Sequence, residues 1–192
     1  AYVFENTGFW VQTQKLVAND RADADYFGFD VDISANYIIV GAWAEDEDEF
    51  GANTLNSSGS AYIFEYTTGW TQTNKITAPT RGADDYFGYS VAISDMFALV
   101  GAYEEDEDAS EGNTLSNSGS AYSYFCLGAG TVLPMYKIVA PDREADDRFG
   151  YDVALDGDMA VIGAYFEDHD EFGANGLMQA GSSYIFDLQD YP

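Results

Sequence analysis

The chain has 192 residues, of which 46% are hydrophobic and 16% aromatic, enough apolar material for one folded domain. Its 34 acidic and 7 basic residues give a formal net charge of -27, which excludes nucleic acid and anionic membranes as partners. No apolar run approaches the ~20 residues of a membrane span, and a single cysteine, Cys126, excludes an intrachain disulfide.

In chain order, the sequence repeats one unit three times, because the Phe-Gly pair returns after 60 residues (27 to 87) and again after 62 (87 to 149). Each unit predicts four strands and no helix. An alternating strand follows Phe-Gly, an apolar strand ends in Gly-Ala, an aromatic strand follows Gly-Ser, and a second alternating strand ends at a lysine. The predicted fold is all-β, with three tandem four-stranded units. The units span about 17–76, 77–138 and 139–192, and residues 1–16 form a partial unit.

The strand inventory predicts an exchange of strands between chains. Residues 1–16 supply a third and a spare fourth strand, whereas residues 183–192 end after a third strand with no fourth. Three such units are too few to close a ring of sheets, which takes four to eight. An open sheet edge is a template for pairing, so we expect head-to-tail self-association into filaments. The alternative is that the chain is part of a longer protein whose units close such a ring.

The loop after each second strand is acidic, and its acids recur in register. Carboxylates at alternating loop positions suit Ca²⁺, which takes 6–8 oxygen ligands, whereas Zn²⁺ would need Cys or His. Calcium binding is therefore predicted, with a solvated loop and diffuse counterions as the alternative. The predicted ligands are Glu45, Asp46, Asp48, Glu105, Asp106, Asp108, Glu167, Asp168 and Asp170.

The basic residues follow the repeat as well, since a lysine ends each fourth strand and an arginine follows six residues later. In so acidic a chain, a cation fixed by the repeat predicts a structural ion pair. Its partner would be the aspartate before Phe-Gly or the acidic loop. The residues concerned are Arg21, Arg81 and Arg143 with Asp25, Asp85 and Asp147.

Two residues bear on modification and catalysis, one glycosylation acceptor and one histidine. Asn56 begins the chain's one N-x-[ST] acceptor and lies in a predicted exposed loop, which predicts N-glycosylation in a secreted protein. The only histidine is His169, so the three units cannot share a histidine-based catalytic group. The acids recur in every unit, which indicates a structural role, because an enzyme normally needs one catalytic site. We therefore expect no enzyme activity.

The ordered recurrence of Phe-Gly and Gly-Ala resembles the FG-GAP family, the blade unit of integrin α-subunit propellers and of many bacterial and protist surface proteins. The resemblance implies four-stranded antiparallel blades and an extracellular adhesive or scaffolding role. The three blades would form a partial propeller, completed within a larger one, or an open, stacked array. Two features depart from the family's pattern. The proline of GAP is replaced by Trp43, Tyr103 and Tyr165. The family's D-x-D-x-D-G calcium loop is absent before the second strands, where only Asp156 and Asp158 resemble part of it.

These observations predict a non-enzymatic extracellular or cell-surface protein, calcium-stabilised and structural or adhesive, which forms head-to-tail filaments. The alternative is a surface propeller segment that binds carbohydrate or protein ligands.

Overall fold

A computed structural model describes residues 1–169 and 176–190, and within these ranges the chain is all-β. The predicted fold class is confirmed. The strands are β1 (Tyr2–Asn6), β2 (Trp10–Lys15), β3 (Val31–Ser34), β4 (Tyr37–Ala42), β5 (Ser60–Tyr66), β6 (Trp70–Ile76), β7 (Val91–Ser94), β8 (Phe97–Ala102), β9 (Ser120–Gly128), β10 (Thr131–Ile138), β11 (Phe149–Asp156), β12 (Met159–Ala164) and β13 (Ser182–Asp187).

The strands form four antiparallel sheets in chain order. The hairpin sheet is β1-β2, the first sheet is β3-β4-β5-β6, the second is β7-β8-β9-β10, and the third is β11-β12-β13. Among the described residues, β13 pairs with β12 alone. Each sheet meanders through adjacent strands, as the repeat predicts.

The N-terminal strand β2 is not spare, which corrects the prediction. It pairs with β1 from Tyr2–Lys15 to Asn6–Trp10. The turn between them contains Gly8 at φ +108°, a conformation that glycine adopts without strain. Because β1 carries the same aromatic pattern as the third strand of a unit, it holds β2 within the chain.

Neighbouring sheets pack face to face and enclose three cores. The hairpin sheet contributes Val3 and Leu16 to a core with β4 and β5. The next core joins the first sheet to the second, and the last joins the second sheet to the third. The second strand of each unit is apolar on both faces because it contributes to two cores, with Ile39 facing one and Val40 facing the other.

The Phe-Gly pair forms the joint between consecutive sheets, called here the Phe-Gly joint. The ring of Phe87 packs on Tyr122 and Tyr124 of its own sheet, and its backbone bridges to Gly59 of the preceding sheet. A Cβ on Gly41 would overlap the carbonyl oxygen of Gly88. Glycine is therefore required where the two backbones touch. The second joint, between Gly101 or Gly119 and Phe149-Gly150, repeats this geometry.

Side chains of each first strand satisfy the backbone of the next. Asp30 Oδ2 accepts the N–H of Val91 at 2.7 Å, and Asp32 Oδ2 accepts that of Ile93 at 2.8 Å. These bonds pair N–H groups at an edge where no further strand adds to the sheet. They also fix how far one sheet slides along the next.

Candidate functional site

The first acid of each acidic loop is buried. Glu45 Oε2 accepts the hydroxyl of Tyr62 at 2.7 Å and lies 3.2 Å from Lys75 Nζ. Burial, helped by the Glu45 carboxylate, raises the pKa of Tyr62 and keeps this hydroxyl a donor. The second loop repeats the cluster with Glu105, Tyr122 and Lys137.

The other loop acids fold the loop onto itself. Asp46 Oδ1 accepts the N–H of Ser57 at 2.7 Å, and Asp48 Oδ1 accepts those of Phe50 and Ala52, both at 2.9 Å. The hydrogen bond from Ala52 is the largest influence that lowers the pKa of Asp48. Asp106 and Asp108 make the corresponding bonds in the second loop.

An arginine from the next unit binds inside each of the first two acidic loops. Arg81 donates to the main-chain oxygens of Asn53, at 2.8 Å, and Asp46, and to Ser58 Oγ at 2.7 Å. Arg143 does the same with Asn113, Asp106 and Ser118. The acidic loop is thus the partner of the arginine, as one of the two predicted alternatives states, but the contacts are made by its carbonyl oxygens. The positive charge inside each of these two loops is an arginine of the same chain.

The aspartates before Phe-Gly have a different role from the one predicted. Asp25, Asp85 and Asp147 are buried, and each accepts the backbone N–H three residues earlier. No ion pair joins them to Arg21, Arg81 or Arg143 in the described part of the chain. The reason is that each aspartate caps its own turn, while Arg81 and Arg143 extend to the preceding sheet. Burial raises the pKa of Asp85 and Asp147 to about 6.

The described residues fit a bound metal ion poorly. Within residues 1–169 and 176–190, no group of three or more Asp, Glu, His or Cys side chains is placed to hold one. The carboxylates instead accept hydrogen bonds from the chain. The predicted ligand Asp170 lies outside the described residues. Calcium binding stays a prediction.

The third acidic loop differs because no lysine contacts its buried acid. Glu167 Oε2 accepts the hydroxyl of Ser182 at 2.6 Å, and Oε1 accepts the N–H of His169 at 2.7 Å. Asp168 accepts the N–H of Gln179. Over the described residues, Glu167 has no lysine or arginine within ion-pair distance.

The third sheet carries an open cavity of about 350 Å³ on the face where the first two sheets receive the next Phe-Gly pair. Its lining includes Gly163, Ala164, Gly181 and Ser182, the counterparts of the residues in the two formed joints. A Cβ on Gly163 would meet nothing closer than the carbonyl oxygen of Asp152, at 3.7 Å. The cavity is therefore a Phe-Gly joint with one half present.

A feature that the sequence reasoning missed is an aromatic belt across all three sheets. Its rings follow Phe-Gly and Gly-Ala in each unit, and adjacent rings lie 4.2–6.4 Å apart. The sequence signal that could have predicted the belt is the aromatic residue that replaces the GAP proline in every unit. The belt comprises Phe29, Trp43, Tyr89, Tyr103, Tyr151 and Tyr165, with Tyr26, Tyr86 and Phe166 at its margin.

One cation lies at the end of the belt. Arg148 donates to Tyr165 Oη at 2.6 Å, and its guanidinium lies 4.8 Å from the Phe166 ring centroid. Such stacking stabilises by about 0.5–2 kcal/mol. Arg148 stands where the other units carry Tyr26 and Tyr86, which is why it departs from the repeat.

Comparison with protein-family models identifies the repeat. The FG-GAP repeat model matches residues 10–64, 70–124 and 135–186, which is most of the chain. The chain belongs to the FG-GAP repeat family. FG-GAP repeats are typical of extracellular or surface propeller-like proteins, and the open sheets described here are consistent with a partial propeller. A comparison with curated proteins gave no match. Among the described residues, no helix is long and apolar enough to cross a membrane.

Asn56 is exposed, as an acceptor must be. Its Nδ2 donates to Asp84 Oδ1 at 2.5 Å, so the side chain joins two units. Ser58 of the same motif is buried and accepts from Arg81. Recognition of the motif would therefore have to precede folding of this loop.

We expect Asn56 to carry an N-glycan when the chain passes through a eukaryotic secretory pathway. Intact mass spectrometry should show a species heavier than 21.0 kDa. Enzymatic release of the glycan should return the chain to that mass and leave an aspartate at position 56. Asn56→Gln is the control without an acceptor. Unmodified Asn56 in chain secreted from such cells would contradict the prediction.

Proposed function

We propose that this FG-GAP protein is a non-enzymatic structural module of the cell exterior whose copies associate head to tail. The observation that carries the proposal is the half-formed Phe-Gly joint on the third sheet. In the two complete joints, the repeat counterparts of these lining residues contact the Phe-Gly pair of the neighbouring sheet. Because β13 also has an open edge within the described residues, the third sheet offers both a backbone edge and a shaped cavity to a second copy.

The ionisable groups support a role without catalysis. Glu45 and Glu105 are engaged by a tyrosine and a lysine of their own sheet. The only histidine, His169, contacts Glu167 at 3.3 Å. Each cluster recurs or belongs to the loop framework, so these groups act as parts of the structure.

The proposal is tested by the size of the purified chain as a function of concentration. Sedimentation velocity and electron microscopy should show linear assemblies of the 21.0 kDa chain, favoured by salt because charges of -27 repel one another. A variant without residues 1–16 should remain monomeric. Equal assembly of the truncated chain, or a monomer at every concentration, would overturn the proposal.

A second candidate function is binding of carbohydrate, and the aromatic belt is the observation that favours it. Tyr26 and Phe29 are about half exposed at one end of the belt. Exposed rings stack on the apolar faces of sugars, and the acids nearby accept hydrogen bonds from hydroxyls. A glycan array with wild type and Tyr26→Ala tests this function. Loss of a glycan signal in the variant would support it, and no signal in wild type would exclude the glycans displayed.

Calcium stabilisation and arginine stabilisation of the loops make opposite predictions. If Ca²⁺ holds the loops, EDTA lowers the melting temperature and Asp106→Asn with Asp108→Asn removes the response. The Arg143 geometry leads us to expect that Arg143→Met costs about 2 kcal/mol, because it removes three charge-assisted hydrogen bonds. We expect the same loss with and without EDTA. A melting temperature that falls in EDTA for wild type would favour calcium.

A further inference from the structure

We propose that β13 of one copy replaces β1 of a second copy, so that Phe27-Gly28 of the second copy completes the open joint on the third sheet. This mechanism rests on the proposed head-to-tail association. It specifies which strand leaves, which strand takes its place and which motif enters the cavity.

The strands β1 and β13 are the same element of the repeat. Tyr62 pairs with Lys75 between the third and fourth strands of the first sheet, and Tyr122 pairs with Lys137 in the second. In the hairpin sheet, Tyr2 of β1 pairs with Lys15 of β2. The counterpart of Tyr2 in β13 is Tyr184, in the sequence "SYIFD" beside "YVFEN" of β1. Both strands therefore fit the same edge of β2, and only one can occupy it.

Charge complementarity favours the strand from the second copy. Lys15 lies over the ring of Tyr2 at 5.6 Å, as Lys75 lies over Tyr62 at 5.8 Å. Lys75 also pairs with the buried Glu45, but Lys15 pairs with no carboxylate in the part of the chain that is described. Across the exchanged pair, Lys15 would meet Glu167, the one buried loop glutamate that no lysine contacts. Each copy thus supplies the charge that the other lacks.

Arg21 extends this complementarity. Arg81 and Arg143 bind the carbonyl oxygens of Asp46 and Asp106 in the preceding loops. The corresponding carbonyl in the third loop is that of Asp168. After the exchange, Arg21 of the second copy would lie at this loop, which places a second cation beside Glu167.

The apolar faces at the two ends also match. Val31 and Ile33 are 50% and 57% exposed, whereas their repeat counterparts Val91 and Ile93 are 3% and 2% exposed in the core between sheets. On the third sheet, Val161 and Ile185 are exposed on the side that faces a following unit. Exchange brings these two faces together as in the internal cores and removes both from water.

The motif that enters the cavity has the required backbone. Gly28 has φ +91°, matching +88° at Gly88 and +87° at Gly150 in the two formed joints. Its only neighbour within 4 Å of an added Cβ is the nitrogen of Ala1, at 3.6 Å. Ala1 precedes β1, so displacement of β1 clears the path to this motif. The bonds that β2 loses to β1 are replaced by equivalent bonds to β13.

The first experiment closes the cavity without disturbing the chain that carries it. Gly163→Ala adds a methyl with 3.7 Å of clearance in the free chain, but in a completed joint it would overlap the carbonyl oxygen of Gly28. The midpoint concentration for assembly should rise at least about tenfold, with an unchanged melting temperature for the monomer. The control is Gly112→Ala in the second acidic loop, where an added Cβ would come no closer than 3.5 Å to the Ser110 side chain, and it should assemble as wild type. Assembly of Gly163→Ala at the wild-type concentration would overturn the proposal.

The second experiment holds β1 on β2. Phe4 and Gln12 are paired and exposed, so Phe4→Cys with Gln12→Cys should form a disulfide across the hairpin, while Cys126 remains buried. We expect the oxidised variant to stay monomeric and the reduced variant to assemble. If the oxidised variant assembles as well as the reduced one, strand exchange is wrong although head-to-tail association stands. If neither the reduced variant nor wild type assembles at any concentration, the proposed function itself is wrong.

Discussion

Replacing Gly101 by alanine is expected to lower the free energy of unfolding by about 3 kcal/mol or more. A Cβ at this position would overlap the carbonyl oxygen of Gly150, which belongs to the backbone of the next sheet. A backbone atom cannot rotate away as a side chain can, so the second and third sheets would have to separate. The core between them contains the fully buried Phe149 and Ile162, and its packing would loosen.

The repeat itself provides the control for this prediction. Gly163 occupies the same repeat position in the third sheet, where a Cβ has 3.7 Å of clearance. Alanine at Gly163 should therefore leave the stability of the monomer within about 0.5 kcal/mol of wild type. Urea unfolding at a concentration below assembly measures both variants. Equal losses in the two would show that the joint does not hold the sheets together.

The sequence predicted the fold because its local signals agree with one another. The Phe-Gly and Gly-Ala pairs, the double-sided apolar strands and the aromatic strands recur at one period, which determines the number and order of strands. The hairpin was harder to predict. Strand β2 has the pattern of an outer strand, but its partner β1 is recognisable only by comparison with the third strands of later units. Among the described residues, β13 is the third strand of a unit that has no fourth strand beside it.

The contacts of the acidic loops could not be predicted from the sequence. The register of Glu45, Asp46 and Asp48 marks a repeated loop, but a linear pattern of acids does not show which donors surround them. The donors Tyr62 and Arg81 come from the next strand of the sheet and from the next unit, and packing between sheets brings them to the loop. The aromatic belt was missed for a similar reason, since its rings are far apart in sequence and meet only where sheets stack.

Between pH 5 and pH 8 the folded chain is expected to lose the stabilisation that two buried aspartates supply, about 3 kcal/mol, as pH rises. Burial is the main cause that raises the pKa of Asp85 and Asp147 from 3.8 to about 6. The backbone hydrogen bonds from Gly82 and Glu144 act in the opposite direction and are outweighed. In the unfolded chain these carboxyls return to ordinary values, so between the two pKa values the folded state binds more protons than the unfolded state.

The sign follows from that difference in bound protons. Stability from these two groups is fully present below about pH 4, and it is lost as pH rises through about 6. Repulsion within a chain of charge -27 adds to the loss, because deprotonation increases the charge. Asp48 and Asp108 have lowered pKa values and act in the opposite sense, but their contribution is lost only below about pH 4. Burial also raises the pKa of Glu105 to about 8, so this carboxyl titrates in the same range and acts in the same sense as the two aspartates.

Urea unfolding of the monomer across this range measures the effect, and a double variant assigns it. Asp85→Asn with Asp147→Asn keeps a side-chain oxygen that can accept the N–H of Gly82 and of Glu144, but it removes both titrations. Its stability should fall less than that of wild type from pH 5 to pH 8, and Glu105 together with the net charge accounts for the slope that remains. Assembly is a separate readout, because neither aspartate lines the cavity on the third sheet. If the double variant kept the wild-type slope, Asp85 and Asp147 would not be its source, and Glu105 with repulsion among the surface acids would account for the pH dependence.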